Sequence, residues 1–102
     1  MFDRPMRMVG TEPFWGGLIA SDGITLSGVD RPERRFPPPG EPMIGGGFAG
    51  YEVSGARFTV SAGPCSDGMS DRVYPFKAEV RIGGEVLRGC AIPERLFGRK
   101  PG

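Results

Sequence analysis

The sequence predicts an all-β fold, a small antiparallel meander curled into a closed or partly open barrel of six to eight strands. Three observations carry this. Glycine and proline are unusually frequent, at 18 and 11 of 102 residues, and both interrupt helices while favouring tight turns. Several segments alternate apolar and polar residues with period two, and turn signals separate some of them. No stretch carries helical periodicity over a normal helix length. Closing a meander into a barrel removes its exposed edges; an open β-sandwich is the alternative.

Taken in order, "FWGGLIASDGITLSG" (14–28) reads as a hairpin turning at Asp22-Gly23 with a type I′ signature. That turn pairs Ser21 with Ile24 and Ile19 with Leu26, and sets Trp15, Ile19, Ile24 and Leu26 on one face. "VDRPERRF" follows as one strand with its arginines outward, interrupted by Pro32, and Pro37 to Pro39 form an extended polyproline segment. Gly45 to Gly47 are either flexible or closely approached by other backbone. "FAGYEVSGARFTVSAG" makes a second hairpin at Ser54-Gly55, pairing Val53 with Ala56, Tyr51 with Phe58 and Ala49 with Val60. Its other face sets Glu52 across from Arg57. The third hairpin turns at Gly83-Gly84. A plain two-residue turn there sets Glu79 opposite Arg88 but leaves Val86 and Cys90 on the charged face, whereas a bulged turn reverses that facing. One domain spans residues 9–93, flanked by tails at 1–8 and 94–102.

Composition excludes much chemistry. The chain has no histidine, which removes Ser-His-Asp and Cys-His catalysis and histidine-ligated zinc together. Two cysteines do not close a structural zinc site. A net charge of +1 gives no long-range field for nucleic acid or anionic membranes. No apolar run is long enough for a transmembrane helix. The opening "MFDRPMRMVG" holds no apolar export segment, which implies a cytoplasmic protein or one whose leader has been removed.

The densest stretch is "GPCSDGMSDRVYPF" (63–76). A disulfide between Cys65 and Cys90 would tie this loop to the last strand. Closing a loop of roughly 24 residues stabilises by roughly 3 to 4 kcal/mol on chain-entropy grounds. The alternative is two unrelated buried thiols in a reducing compartment; the bond is the favoured reading. Asp67 and Asp71 flank Gly68, but their spacing lacks the alternating oxygen ligands of a calcium loop. No metal or other cofactor is expected. Ser66, Asp67 and Ser70 suit Asx and ST turns, Arg72 pairs with an aspartate, and Tyr74 precedes Pro75, a bond open to the cis form. A second cluster, "GTEPFWG", contains Glu12, Phe14 and Trp15. Phe14 and Trp15 point to opposite faces of one strand, so one is core and the other is partly exposed beside Glu12.

Together, "GTEPFWG", "GPCSDGMSDRVYPF" and "LRGCA" resemble the motifs of an uncharacterised bacterial envelope domain found in lipoproteins and periplasmic proteins, sometimes beside META-type or lysozyme-inhibitor-like domains. The resemblance runs from about Val9 to Ala91. It implies that Cys65 and Cys90 match the family's two cysteines, that residues 10–15 match its first motif, and that the chain works in the periplasm or cell envelope. The connection "RPERRFPPPGEP" departs from the family pattern, and the missing export signal leaves the cytoplasm as the alternative.

The function expected is a non-catalytic module, a monomer that binds a small molecule, an envelope polymer or a protein. One competitor is a hydrolase using Asp67, Asp71 or Glu12 on glycans, which needs two carboxylates about 5 to 10 Å apart across a cleft. The other is an OB-like nucleic-acid binder using Arg31, Arg34, Arg35 and Phe36, against which the near-neutral charge argues.

Overall fold

A computed structural model of the chain describes residues 5–11, 14–28, 31–66 and 73–97. Among the described residues nine antiparallel strands form one sheet curled into a half-barrel: β1 (Met6–Thr11), β2 (Phe14–Ala20), β3 (Gly23–Gly28), β4 (Arg31–Phe36), β5 (Met43–Gly45), β6 (Phe48–Val53), β7 (Ala56–Ser66), β8 (Val73–Ile82) and β9 (Glu85–Pro93). A single helical turn, α1 (Glu94–Phe97), follows. Among the described residues no helix is long and apolar enough to cross a membrane.

The spatial order is β4-β3-β2-β1-β9-β8-β7-β6-β5. Two meanders therefore meet at the centre, where β1 pairs with β9 from Met6↔Pro93 to Val9↔Cys90. The all-β, antiparallel expectation stands. The strand count exceeds the six to eight expected, and of the closed and partly open forms the sheet takes the open one, for a local reason. The two edges, β4 and β5, are consecutive in sequence and joined by residues 37–42, "PPPGEP". Proline has no N–H to give to a ladder, so this connector spans the seam without zipping it shut. The edges are protected differently. β4 carries Pro32 and a run of charges, while β5 is only three residues long; both are recognised ways to discourage edge pairing.

The concave face holds the main core, including Met6, Met8, Trp15, Ile24, Leu26, Phe58, Val60, Val80 and Leu87. Met6 and Met8 come from the segment expected to be an N-terminal tail. Phe36 of β4 reaches across the concavity and packs edge-to-face on Phe58 of β7, with ring centroids 5.1 Å apart. Side chains thus complete part of what the ladder leaves open.

The hairpin at Ser54-Gly55 has the expected register throughout. Both turn residues have positive φ (50° and 80°), as a type I′ turn requires, and Arg57 Nη2 lies 3.0 Å from Glu52 Oε1. The Gly83-Gly84 hairpin is the plain two-residue form, pairing Glu79 with Arg88. The first hairpin turns one residue earlier than expected, at Ser21-Asp22, so that Ala20 pairs with Gly23 and Ile19 with Ile24. Gly23 opens β3, where a Cβ would sit 2.9 Å from the Phe36 carbonyl oxygen of β4. The register differs by two residues, which preserves facing: Trp15, Ile19, Ile24 and Leu26 are all buried.

Candidate functional site

Cys65 and Cys90 form a disulfide with Cα atoms 5.6 Å apart. Cys65 lies on β7 and Cys90 on β9, with β8 between them. Two strand spacings in a flat sheet would separate them by roughly 9 to 10 Å. The described end of the β7–β8 hairpin, at Cys65 and Tyr74, has therefore bent away from the β8–β9 ladder, which begins at Phe76↔Ala91, and over the outer face of β9. The bend coincides with a register shift between Ala62 and Cys65. There Gly63 has φ 142°, and Pro64 and Pro75 fall on opposite strands of the hairpin, where neither can donate to the ladder.

This folded-back end explains why Cys90 sits comfortably on a face otherwise charged. Tyr74, Cys90 and Ile92 are buried together, with Val9, Cys65 and Leu96 packed against them, as a second cluster on the outside of the sheet. α1 supplies Leu96 and is fixed in two ways. Its Glu94 N–H donates to the Pro5 carbonyl at 2.9 Å. Arg7 of β1 donates twice to the Glu94 carboxylate, at 2.8 and 3.1 Å. Ser66 ends β7, exposed, paired in register with Val73. Asp67, Asp71 and Arg72 lie outside the described residues, as does Glu12.

Trp15 and Phe14 separate as the alternation requires. Trp15 is 1% exposed on the concave side, and its Nε1 donates to the Arg88 carbonyl at 3.1 Å. To get there from β2 the indole crosses β1 at Gly10, where a Cβ would lie 1.8 Å from Nε1. Glycine at this position lets one ring pin three strands. Phe14, in contrast, is 50% exposed on the outer side.

Beside Phe14 runs a trough of about 400 Å³ across β1, β2 and β3, lined by Arg7, Val9, Phe14, Gly16, Ser27 and Gly28 among others. Gly16 leaves its floor low, Phe14 forms one wall, and Val9 belongs both to the trough and to the cluster around the disulfide. Of these residues only Phe14 stood out in the sequence. The signals for the others were the alternation of "MRMV" and the Gly16-Gly17 pair inside a strand, where glycine marks a close approach or a vacant surface. The disulfide and Phe14 are thus neighbours on the outer face of the sheet, with β1 between them.

The arginine cluster resolves differently. Phe36 is 4% exposed, covered on one side by Phe58 and on another by the Arg34 guanidinium. It presents no face on which a base can stack. Arg35 Nε lies 3.1 Å from Glu33 Oε2, and Arg31 enters the ladder opposite Gly28. Among the described residues no group of three or more Cys, Asp or Glu side chains is placed to hold a metal ion.

The chain matches no protein-family model, no curated protein and no solved structure.

Proposed function

We propose that the chain is a non-catalytic binding module of the bacterial envelope, and that the trough beside Phe14 takes its ligand, whether a small molecule, an envelope polymer or a protein segment. The observation that carries this reading is Phe14 itself. A half-exposed aromatic beside a low glycine floor, on a strand immobilised by Trp15 from behind, is a preorganised apolar contact surface. The described lining of the trough offers no carboxylate, and the chain has no histidine, so binding suits it better than acid–base catalysis. The disulfide supports an oxidising compartment, because such bonds persist outside the cytosol and are rare within it. The resemblance of "GTEPFWG" and "GPCSDGMSD" to an envelope domain agrees with that placement.

The experiment is a thermal-shift screen of peptidoglycan fragments, envelope polysaccharides and lysozymes against the native chain and Phe14→Ala. A ligand at a hundred times its Kd adds about 2.7 kcal/mol of stability, which raises Tm by roughly 10 to 20 °C in a domain of this size. The shift should vanish or shrink at least tenfold in affinity with Phe14→Ala. A panel that shifts neither protein leaves the reading without support.

A further inference from the structure

A second depression lies on the concave side, away from the trough. In β4, Arg34 and Phe36 pair with Leu26 and Ile24 of β3, both buried on the inner face. Arg34, expected from the sequence to point outward, is therefore an exposed cation on the apolar side of the sheet, at its edge, because its register partner Leu26 faces inward. Its guanidinium carbon lies 4.9 Å from the Phe36 ring centroid, and that ring is fixed by Phe58. The exposed guanidinium thus sits over an aromatic face.

Arg7, Arg35, Arg57, Arg81 and Arg88 each have a carboxylate oxygen within 3.4 Å, while Arg34 and the exposed Arg95 of α1 have none among the described residues. Of these two only Arg34 lies on the apolar side of the sheet; its one contact of note is with Phe36. Next to it is a notch of about 330 Å³ between β4 and the tip of the β8–β9 hairpin, lined by Leu26, Pro32, Glu33, Arg34 and Ile82. Glu33 is engaged by Arg35. The notch thus offers three apolar side chains, one guanidinium with no carboxylate partner among the described residues, and a carboxylate whose Oε2 is held by Arg35, at the small end of the volume range of ligand pockets.

An inward-turned charge on an edge strand also discourages edge-to-edge pairing. That role needs the charge alone and gives no reason for an apolar notch beside it. We propose that the notch binds a single-chain amphiphile with an anionic head, a carboxylate or a phosphate. The head is gripped by the Arg34 fork, which matches both groups, and the alkyl tail lies against Leu26, Pro32 and Ile82. This site is independent of the trough and stands whether or not the trough binds anything.

The test is an amide chemical-shift titration of the disulfide-bonded chain with octanoate, octyl phosphate and octanol. At least one anion should shift the amides of Leu26, Arg34 and Ile82 and bind at least tenfold tighter than octanol; the tighter anion identifies the head group. Going from hexanoate to octanoate should strengthen binding by about fourfold per methylene held in the notch. Arg34→Gln should weaken the anion at least tenfold, and Phe14→Ala should leave it unchanged. Equal binding of octanol and both anions overturns the proposal. So do shifts confined to the exposed apolar surface of Met43, Ile44 and Phe48, or an Arg34→Gln variant that binds as the native chain does.

Discussion

Two hydrophobic clusters sit back to back on this sheet, and they are built by different physics. The concave cluster draws sixteen buried residues from eight of the nine strands, so burial alone accounts for its cohesion, at about 25 cal/mol per Å² of apolar surface. The outer cluster has three buried residues, Tyr74, Cys90 and Ile92, with three more leaning on them. The described end of the β7–β8 hairpin keeps its own pairing, Cys65↔Tyr74 and Ser66↔Val73, but leaves the ladder with β9, and this small cluster gives it little burial there. A covalent bond does the holding. The contrast teaches that the disulfide stabilises one face of the sheet, the face that carries the trough, while the other face holds the fold.

The sharpest way to break this comparison is to remove the centre of the concave cluster. Trp15→Ala deletes the largest fully buried side chain and leaves the Arg88 carbonyl without its donor. The expected loss is about 3 to 5 kcal/mol, enough to consume much of the stability of a domain this small. Because Trp15 is the sole tryptophan, urea unfolding should be followed by circular dichroism. A loss below about 1 kcal/mol would show that the concave cluster does not depend on it.

Next in size is the disulfide. Replacing both cysteines with alanine should cost about 2 to 4 kcal/mol and yet leave the concave cluster assembled. Two readings separate the outcomes: a lower urea midpoint and unchanged Trp15 emission at low urea. If emission moves to the position of a solvated indole without denaturant, the two clusters are one cooperative unit and the comparison fails.

Glycine positions on β1 and β2 refine it further. A Cβ at Gly10 would strike the indole at 1.8 Å, whereas one at Gly16 meets only the Met8 carbonyl at 3.4 Å. Gly10→Ala is expected to cost about 1 to 3 kcal/mol through overpacking. Gly16→Ala should stay within about 0.5 kcal/mol while raising the floor of the trough, so it weakens ligand binding at constant stability. If Gly16→Ala destabilises as much as Gly10→Ala, the outer face is as tightly packed as the inner one.

What the sequence made legible follows the same division. Local pairing was readable wherever turn chemistry and facing agreed, as at Ser54-Gly55, where φ > 0 and the apolar alternation select one register. The turn near Asp22 was readable in facing but not in register; the close approach there is between Gly23 and Phe36 of β4, thirteen residues on from Gly23. The pairing of β1 with β9, the open seam and the comfort of Cys90 were not readable. Each depends on strands far apart in sequence, and no period-two pattern encodes which strand lies next to which. Of the candidate site, Phe14, Trp15 and the cysteine pair were visible as residue types. The trough was not, since its floor is an absence of side chains.

The smallest effect belongs to the most legible feature. Glu52 and Arg57 face each other across the Ser54-Gly55 turn at 3.0 Å, but both side chains are more than half exposed (58% and 53%). Water screens the pair and two long side chains lose freedom to form it. A double-mutant cycle with Glu52→Gln and Arg57→Gln should therefore give a coupling of about 0.2 to 0.5 kcal/mol, shrinking further in 1 M salt, where the Debye length is about 3 Å. A coupling above about 1 kcal/mol that survives salt would mean that the pair holds the hairpin rather than decorating it. The register of this hairpin is instead set by the φ > 0 turn and by Tyr51 and Phe58 opposite each other on the buried face. The charge pair marks the register without fixing it, so neutralising it should leave the hairpin's amide-exchange protection in place.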